Sequence, residues 1–408
     1  MARVSPLNAD HEAYGALISE YGPQGAGILV PQVQRGIGVE YAAIRRAGTG
    51  AAIIDQPQRG TIEVRGTDRI PFLNRMITQE LKGFEPFQAR RAFWLNRKGR
   101  IDADLRLIEL GDRLLLDLDV FAVERTVSTL GAFIIADDVE LIDRTEEMHR
   151  LALHGQGAAA LLAAESVPVA GPPVTALAPG QVAVVRVGGA GGEDGAEVVV
   201  DRQDSTGEPG YELLVPAAAV RDVYLRLARP DTGPEELENA ALRPRDPYAE
   251  RKAVRAGWHA YNVARIEAGW PIYMLDFGPD SLPHETGVLH DRVSFTKGCY
   301  LGQEVVARMQ SLGKPKQRLV GLRIDAPPTG PDAVTAAAVL AGPDPSSEVV
   351  GAVTSAATSP MLGSAPVAFA MVKYKHTTPG TTLHLLVEGG GTVPATVQEG
   401  LAFWRRPA

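Results

Sequence analysis

Apolar and polar positions alternate in several short segments of the first half of the chain, and this alternation predicts strands. Two other segments, residues 70–76 and 120–130, carry apolar residues at helical spacing. The predicted strands are residues 61–64, 92–95, 101–110, 114–118, 181–187 and 196–200. Strands and helices therefore follow one another through this part of the chain.

The pattern changes after Pro315. Short runs rich in β-branched and apolar residues recur there, separated by glycine and proline, as is typical of a small all-β barrel or sandwich. These runs are residues 319–324, 349–354, 367–372, 382–387 and 392–397. We therefore predict a boundary near residue 315, between a first domain of residues 1–314 and a C-terminal β-barrel domain of residues 315–408.

Two segments of the first domain stand apart by composition. Residues 188–195 are acidic and rich in glycine, and we predict that they form a hairpin connection. Their glycine spacing fits neither a dinucleotide-binding fingerprint nor a phosphate-binding loop. Residues 229–257 are rich in Pro, Arg, Glu and Ala, and they form either a charged helical insertion or a flexible excursion.

Composition and charge exclude several classes of function. The 408 residues include 41 lysines and arginines and 49 aspartates and glutamates, a net charge of −8 that disfavours nonspecific nucleic-acid binding. No apolar run approaches the ~20 residues of a membrane helix, and the N-terminus has no signal-peptide pattern. A single cysteine without a secretion signal predicts a reducing cytoplasm.

Metal binding is not indicated by the distribution of histidines. The chain has eight, and the nearest set, His284, Glu285 and His290, does not have the spacing of a known metal motif. We therefore expect no metal site.

Acidic side chains on one predicted strand are the first candidates for chemistry. On a strand, Asp102 and Asp104 point to the same face. If that face is interior, a carboxylate there needs a partner or a proton, and it is suited to holding or accepting the proton of an amine. The alternative is a solvated strand edge.

Two further segments carry candidate ligand-binding groups. A turn at residues 206–210 precedes Glu212 at the start of an apolar strand, where a carboxylate can accept two N–H donors from a flat heterocycle. The alternative is a surface turn. Arg265 lies near the end of a predicted helix that Gly269 and Pro271 terminate, and it either binds a ligand carboxylate or forms a surface charge pair.

The only cysteine, Cys299, lies in the sequence Lys-Gly-Cys-Tyr-Leu-Gly-Gln-Glu at residues 297–304. The residues from Gly302 onward predict a helix. A thiol just before a helix, two residues from Lys297, is placed to form a reactive thiolate. The alternative is a small buried apolar side chain.

Four motifs in one order resemble a single superfamily. They are Asn-x-x-Gly followed by Asp-Leu at residues 96–105, Thr-Gly-Glu-x-Gly-Tyr-Glu at 206–212, Arg-Ile-Glu-Ala-Gly at 265–269, and Gly-x-Val-Thr-Ser with Ser-Pro at 351–360. This order resembles the tetrahydrofolate-binding proteins related to the aminomethyltransferase, or T-protein, of glycine cleavage. The Lys-Gly-Cys-Tyr-x-Gly-Gln-Glu motif resembles the YgfZ-like branch of that superfamily.

The resemblance implies a fold and a set of site residues. The fold would be α+β, with mixed sheets and helices around a central channel that holds tetrahydrofolate, followed by the small β-barrel. Asp104 falls where T-proteins contact the reacting folate nitrogen, Glu212 where they bind the pterin edge, and Arg265 where an arginine lines the folate site. Tyr211 would be a further folate contact. Lys297 and Cys299 would lie near the channel mouth as catalytic groups.

The resemblance also implies the function. Our main expectation is a folate-binding accessory protein that acts through Cys299, with iron–sulfur client or assembly proteins as partners. The alternative is a folate-dependent aminomethyltransferase or demethylase in which Asp104 positions or deprotonates the accepting nitrogen. A third hypothesis, a scaffold without catalysis, depends on Ser205, which stands where T-proteins usually have tyrosine.

Overall fold

A computed structural model describes residues 3–22, 25–188, 195–229, 252–325 and 334–406 of the protein. The predicted insertion at 229–257 lies outside the described residues from 230 to 251. The predicted connection at 188–195 lies outside them from 189 to 194, but the strands on either side of it pair antiparallel, as a hairpin requires.

The described residues form helices and strands throughout. The helices are α1 (Asn8–Ala13), α2 (Ile37–Arg45), α3 (Arg69–Met76), α4 (Val123–Gly131), α5 (Ala158–Glu165), α6 (Val220–Leu227), α7 (Trp258–Glu267), α8 (Leu289–Arg292) and α9 (Gln303–Leu312). The strands of the first half are β1 (Leu17–Tyr21), β2 (Ile28–Val33), β3 (Ala52–Asp55), β4 (Arg59–Arg65), β5 (Ala89–Leu95), β6 (Ile101–Glu109), β7 (Leu114–Asp119), β8 (Glu140–Asp143), β9 (Met148–His154) and β10 (Ser166–Ala170). The remaining strands are β11 (Val182–Val187), β12 (Ala196–Arg202), β13 (Gly210–Pro216), β14 (Val254–Ala256), β15 (Gln317–Ile324), β16 (Ala338–Leu340), β17 (Val349–Ser359), β18 (Ala365–Lys373), β19 (Thr382–Leu386) and β20 (Thr392–Val397).

The chain divides into two compact units, and the first consists of Met1–Gly60, Arg144–Asp204 and Glu208–Tyr261. Its main sheet has seven strands in the order β10-β11-β12-β13-β9-β3-β14. Only β14 pairs in parallel with its neighbour β3 among the described pairings of this sheet. Helices α5 and α6 contribute leucines and valines to the apolar core of this unit.

The second unit consists of Thr61–Asp143, Ser205–Gly207 and Asn262–Ala408. It contains a five-stranded sheet in the order β5-β6-β7-β4-β8 and a closed six-stranded barrel in the order β15-β18-β17-β16-β19-β20. The α+β fold class with a C-terminal barrel is therefore confirmed. The domain boundary near residue 315 stays a prediction, since this unit groups the barrel with earlier segments of the chain.

One barrel strand has no counterpart among the predicted runs. Strand β16 spans only Ala338–Leu340 and follows Ala336 and Ala337, so the sequence here shows no alternation. The five predicted runs correspond to the other five strands.

Strand β6 positions the candidate carboxylates. Its apolar side chains at Ile101, Ala103 and Leu105 enter the core of the second unit, while Asp102 and Asp104 project from the opposite face. Every residue of β6 is buried. The prediction that the two aspartates share a face is confirmed, and that face is interior rather than a solvated strand edge.

Candidate functional site

Both aspartates of β6 are held by arginines from distant parts of the chain. Asp104 accepts hydrogen bonds from Nε and Nη2 of Arg292 at 3.2 and 3.4 Å, one to each carboxylate oxygen. Asp102 accepts from Nη2 of Arg125 at 2.8 Å and from the amide of Asn96 at 3.2 Å. Each carboxylate thus has the partner that burial demands.

The two ion pairs differ in burial. Arg292 is 2% exposed, whereas the side chain of Arg125 is 54% exposed. Asp104 therefore lies in a deeply buried ion pair, and Asp102 in one that solvent screens.

Two more cationic or aromatic groups lie next to Asp104. The guanidinium of Arg292 is 5.9 Å from the ring centre of Trp270, and that of Arg91 is 4.6 Å from it. Burial, followed by the charge of Arg292, lowers the pKa of Arg91 to about 10. Two arginines thus lie against the indole face of Trp270 beside Asp104.

Arg265 is fully buried and bonded to protein groups. It donates to Asp276 at 2.6 Å, to Ser355 at 2.7 Å, to Asn262 at 2.9 Å and to the Trp270 carbonyl at 3.1 Å. These contacts tie the end of α7 to the loop after it and to barrel strand β17. They assign Arg265 a structural role, and its role as a folate ligand stays a prediction.

The side chain of Lys297 is likewise hydrogen-bonded to protein groups. Its ammonium donates to the backbone carbonyls of Asn74, Ile77 and Gln79 at 2.7 to 2.8 Å, which uses its three protons at the end of α3. Burial lowers the pKa of Lys297 to about 8. The ammonium caps carbonyl groups at a helix C-terminus, and the catalytic role of Lys297 beside Cys299 stays a prediction.

The remainder of the cysteine motif docks helix α9. Tyr300 is part of the apolar core, and its N–H is 3.3 Å from the side-chain oxygen of Gln303. Gly302 has a φ of +78°, and a Cβ there would lie 2.8 Å from the carbonyl oxygen of Asn96. Only glycine permits this approach without strain. Cys299 itself is exposed, so the alternative of a buried apolar filler is wrong.

The first unit carries its own buried carboxylate. Glu212 on β13 is 3.2 Å from Nη1 of Arg150 and 3.8 Å from Nε2 of His154, both on β9. His154 lies against Gly210, where a Cβ would approach the imidazole to 2.5 Å, and its ring is 5.5 Å from that of Tyr261. Glu212 is therefore an interior carboxylate beside a buried imidazole, not part of a surface turn.

Tyr211 points away from Glu212, as neighbouring residues on a strand must. Its ring lies in the apolar core of the first unit with Leu153 and Leu213, and its hydroxyl accepts a 2.6 Å hydrogen bond from Arg202. Tyr211 is thus a component of the core. Its role as a folate contact stays a prediction, and it would require a ligand on the opposite side of the sheet from Glu212.

The sequence interpretation missed the partners that hold these carboxylates: Arg91, Arg292, Arg150 and His154. Arg292 is 188 residues from Asp104 in the sequence, and no local sequence pattern predicts a pair so far apart. Arg91 had a detectable signal, because it and Arg90 are charged residues in a strand whose other residues are apolar.

The described residues contain no group of three or more His, Cys, Asp or Glu side chains that could hold a metal ion. None of the helices in the described part of the chain is long and apolar enough to cross a membrane.

Known families match most of the chain. Residues 10–246, more than half of the sequence, match the GCVT N-terminal domain, and residues 317–403 match the glycine cleavage T-protein C-terminal barrel domain. The chain belongs to the glycine cleavage T-protein family. The roles of Asp104 and Glu212 at a folate site stay predictions.

Relatives of this T-protein family member share its full length. An aminomethyltransferase of Saccharopolyspora erythraea is 29% identical, with 100% of this chain and 99% of the relative covered. An aminomethyltransferase of Cutibacterium acnes is 28% identical, with 99% of each covered. The T-protein superfamily is thus confirmed, whereas nothing in these matches singles out the YgfZ-like branch or an iron–sulfur role.

A solved structure shows the same fold. The glycine cleavage system aminomethyltransferase T from Bartonella henselae superposes with a TM-score of 0.78 over 99% of both chains, at 22% identity. At this identity the likeness concerns the fold alone.

The buried imidazole generates a prediction about acid stability. Burial is the main cause that lowers the pKa of His154 from 6.5 to about 4. The unfolded chain therefore binds a proton at this imidazole more tightly than the folded chain does. The contribution of the neutral imidazole to the free energy of unfolding is fully present above pH 6.5 and is lost as the pH falls towards 4. We expect the free energy of unfolding to decrease by about 2 kcal/mol between pH 7 and pH 5 through this group, measured by urea titration.

The control for this prediction is His154→Gln, which cannot titrate and should flatten the pH dependence by that amount. Asp55 also has a lowered pKa, but its effect lies below pH 3.8 and outside this window. A pH dependence that the substitution leaves unchanged would show that His154 is not the group responsible.

Proposed function

We propose that this protein is a tetrahydrofolate-dependent aminomethyltransferase-type enzyme, which transfers a one-carbon unit between an amine donor and folate. The support is twofold. Relatives that match the chain along nearly its whole length bear the name aminomethyltransferase. Asp104, which falls where T-proteins contact the reacting folate nitrogen, is buried and paired with Arg292.

The single observation that carries the proposal is the Asp104–Arg292 ion pair. Burying two charges costs several kcal/mol, and an ion pair in a protein interior seldom stabilises the fold more than apolar side chains would. A buried carboxylate paired with a buried arginine, which also donates to Asp291, therefore favours a functional explanation. Arg292 occupies one lone pair on each oxygen, which leaves the others for the N–H of a ligand.

The chemistry that fits this group is the transfer of a methylene unit without oxidation. In a donor X–CH₂–NR₂, where X is a thiolate or hydroxide leaving group, both bonds from the carbon to the donor break. Two new bonds form from that carbon to N5 and N10 of tetrahydrofolate. The two folate N–H protons leave with the fragments as HX and HNR₂, so atoms and charges balance.

Asp104 would act on the cationic character that develops at nitrogen during this transfer. A fixed anion in a water-poor site stabilises such a charge more strongly than water does, because it does not need to reorganise. The same carboxylate would accept the folate N–H and receive its proton. Arg292 would orient the carboxylate without contacting the substrate.

The remaining folate contacts are proposals residue by residue. Glu212 would accept N–H donors of the pterin edge, with Arg150 and His154 fixing the orientation of its carboxylate. Arg265 would act indirectly, by holding the loop that carries Trp270. No role at the folate is proposed for Lys297, because its three protons are committed to carbonyl groups.

We expect Asp104→Asn to lower kcat for methylenetetrahydrofolate formation by about 10²–10³-fold, because the amide has no charge to stabilise a cationic nitrogen. The affinity for tetrahydrofolate should change far less. The measurement is the absorbance of methylenetetrahydrofolate formed from an S-aminomethyl thioether in the full-length protein.

Asp102→Asn is the matched control. It removes a carboxylate from the same face of the same strand, but one whose partner Arg125 is largely exposed. We expect this variant to keep most of the activity. Equal losses in both variants would remove the specific role of Asp104, and failure of the wild-type protein to form any methylenetetrahydrofolate would refute the proposed function.

A second candidate function rests on the exposure of Cys299. The residues around it pack helix α9 against the rest of the unit, while its thiol remains at the surface. A surface thiol in a motif that resembles the YgfZ-like branch is suited to contacting an iron–sulfur client protein.

Complementation tests this second function. In a bacterium that lacks its own YgfZ-like protein, the wild-type chain should restore the activity of an iron–sulfur enzyme in extracts, and Cys299→Ala should not. Rescue by both chains would remove the role of the thiol, and rescue by neither, with both proteins folded, would leave only the transferase proposal.

A further inference from the structure

A small cavity lies in the second unit, between the end of helix α9 and the first strand of the barrel. The described residues that line it come from α8 and the segment before it, from α9 and the turn after it, from β15, and from the turn after β18. Neither Asp104 nor Cys299 is among them. The cavity volume of about 250 Å³ is below the ~300–1,000 Å³ of pockets for drug-sized ligands, so its ligand is smaller than folate.

One part of the cavity wall is apolar and another part carries a cation. The apolar part consists of Leu289, Met309, Pro315 and the half-buried ring of Tyr374. The cation is Arg318 at the start of β15, an exposed side chain whose guanidinium has no hydrogen-bond or ion-pair partner within the described part of the chain. The cavity thus combines an available guanidinium with a surface for hydrocarbon.

The acidic side chains next to the cavity in sequence are engaged elsewhere. None of the described lining residues is acidic. Asp291, which follows the lining residue His290, accepts a hydrogen bond from Arg292. Glu285, which follows the lining residue His284, is buried and accepts the N–H of Leu282 at 2.9 Å.

The two histidines of the wall add hydrogen-bonding groups. Nε2 of His284 is 3.2 Å from the side-chain oxygen of Gln310, and because that oxygen only accepts, Nε2 carries the proton. Burial, and to a smaller extent the charge of His290, lowers the pKa of His284, so its imidazole is neutral at pH 7. Arg318 is therefore the fixed cation of the wall.

The end of helix α9 contributes a smaller charge of the opposite sign. The carbonyl end of a helix carries about half a negative charge, and α9 ends at Leu312, close to the lining residue Gly313. Lys314 offsets this partial charge with a full positive one, since its ammonium is 6.0 Å from the ring centre of Tyr374. With Arg318 added, the balance of charge around the cavity is positive.

We propose that this cavity binds a small carboxylic acid in its anionic form, with the carboxylate on Arg318 and a compact apolar body against Tyr374 and Leu289. The planar guanidinium matches a carboxylate in bidentate geometry, and one fixed cation suits a monoanion. The apolar part of the wall suits a ligand with hydrocarbon attached to the charge. The site is separate from Asp104, and the inference does not depend on the proposed function.

The test uses three probes on the full-length protein: benzoate, its uncharged counterpart benzamide, and inorganic phosphate, which has charge but no apolar body. Affinities are measured by calorimetry. The wild type should bind benzoate about tenfold or more tightly than benzamide, because only the carboxylate forms charged hydrogen bonds with Arg318. It should also bind benzoate more tightly than phosphate. Arg318→Gln should abolish the preference for benzoate over benzamide.

Arg323→Gln is the matched control. Arg323 is an exposed arginine on the same strand β15, but it does not line the cavity. This variant should retain the preference for benzoate.

The histidines of the wall report where the probe binds. The chain has eight histidines, and the ring C–H signals of His284 and His290 can be assigned in NMR spectra with His284→Gln and His290→Gln. Benzoate should shift these two signals in the wild type and in Arg323→Gln, but not in Arg318→Gln.

Four outcomes would overturn the inference. They are equal binding of benzoate and benzamide by the wild type, a preference that survives Arg318→Gln, benzoate shifts confined to other histidines, and phosphate binding as tight as that of benzoate. The last result would reduce the cavity to a nonspecific anion site. All readouts are binding without turnover, so they remain valid whether or not the protein has transferase activity.

Discussion

The buried ion pair between Asp104 and Arg292 is the constraint on which this account depends. It joins the middle of strand β6 to the short helix α8, 188 residues later in the chain. A charge in the interior is tolerated only when a partner and hydrogen bonds satisfy it. The pair thereby links α8 to the sheet, and Arg292 also donates to Asp291 within α8.

The same design recurs in both units. In the second unit, apolar residues of β6 alternate with buried charged residues. In the first unit, the buried Glu212 of β13 lies beside Arg150 and His154 of β9. The apolar residues pack into the core of each unit, and each sheet carries at least one buried carboxylate held by an arginine. The barrel differs, because the residues that fill its interior are apolar.

Local patterns predicted the elements well and the partners poorly. The alternation at Asp102 and Asp104, the end of helix α7 before Gly269 and five of the six barrel strands were all visible, because they depend on neighbouring residues. The partner of Asp104 and the fully buried position of Arg265 were not, because both depend on contacts between segments far apart in sequence. Lys297 shows the same limit. Its nearness to Cys299 in sequence indicated a shared site, whereas its ammonium serves the end of helix α3.

The central claim is that the Asp104–Arg292 pair is retained for function rather than for stability. The most direct test is the double variant Asp104→Leu with Arg292→Met, with the free energy of unfolding and the rate of folate-dependent transfer measured on the same protein. The account predicts a stability equal to or above that of the wild type, since apolar replacements of buried ion pairs are often neutral or stabilising by about 1–4 kcal/mol, together with loss of transfer. A double variant that is strongly destabilised, or one that transfers the one-carbon unit at the wild-type rate, would contradict it.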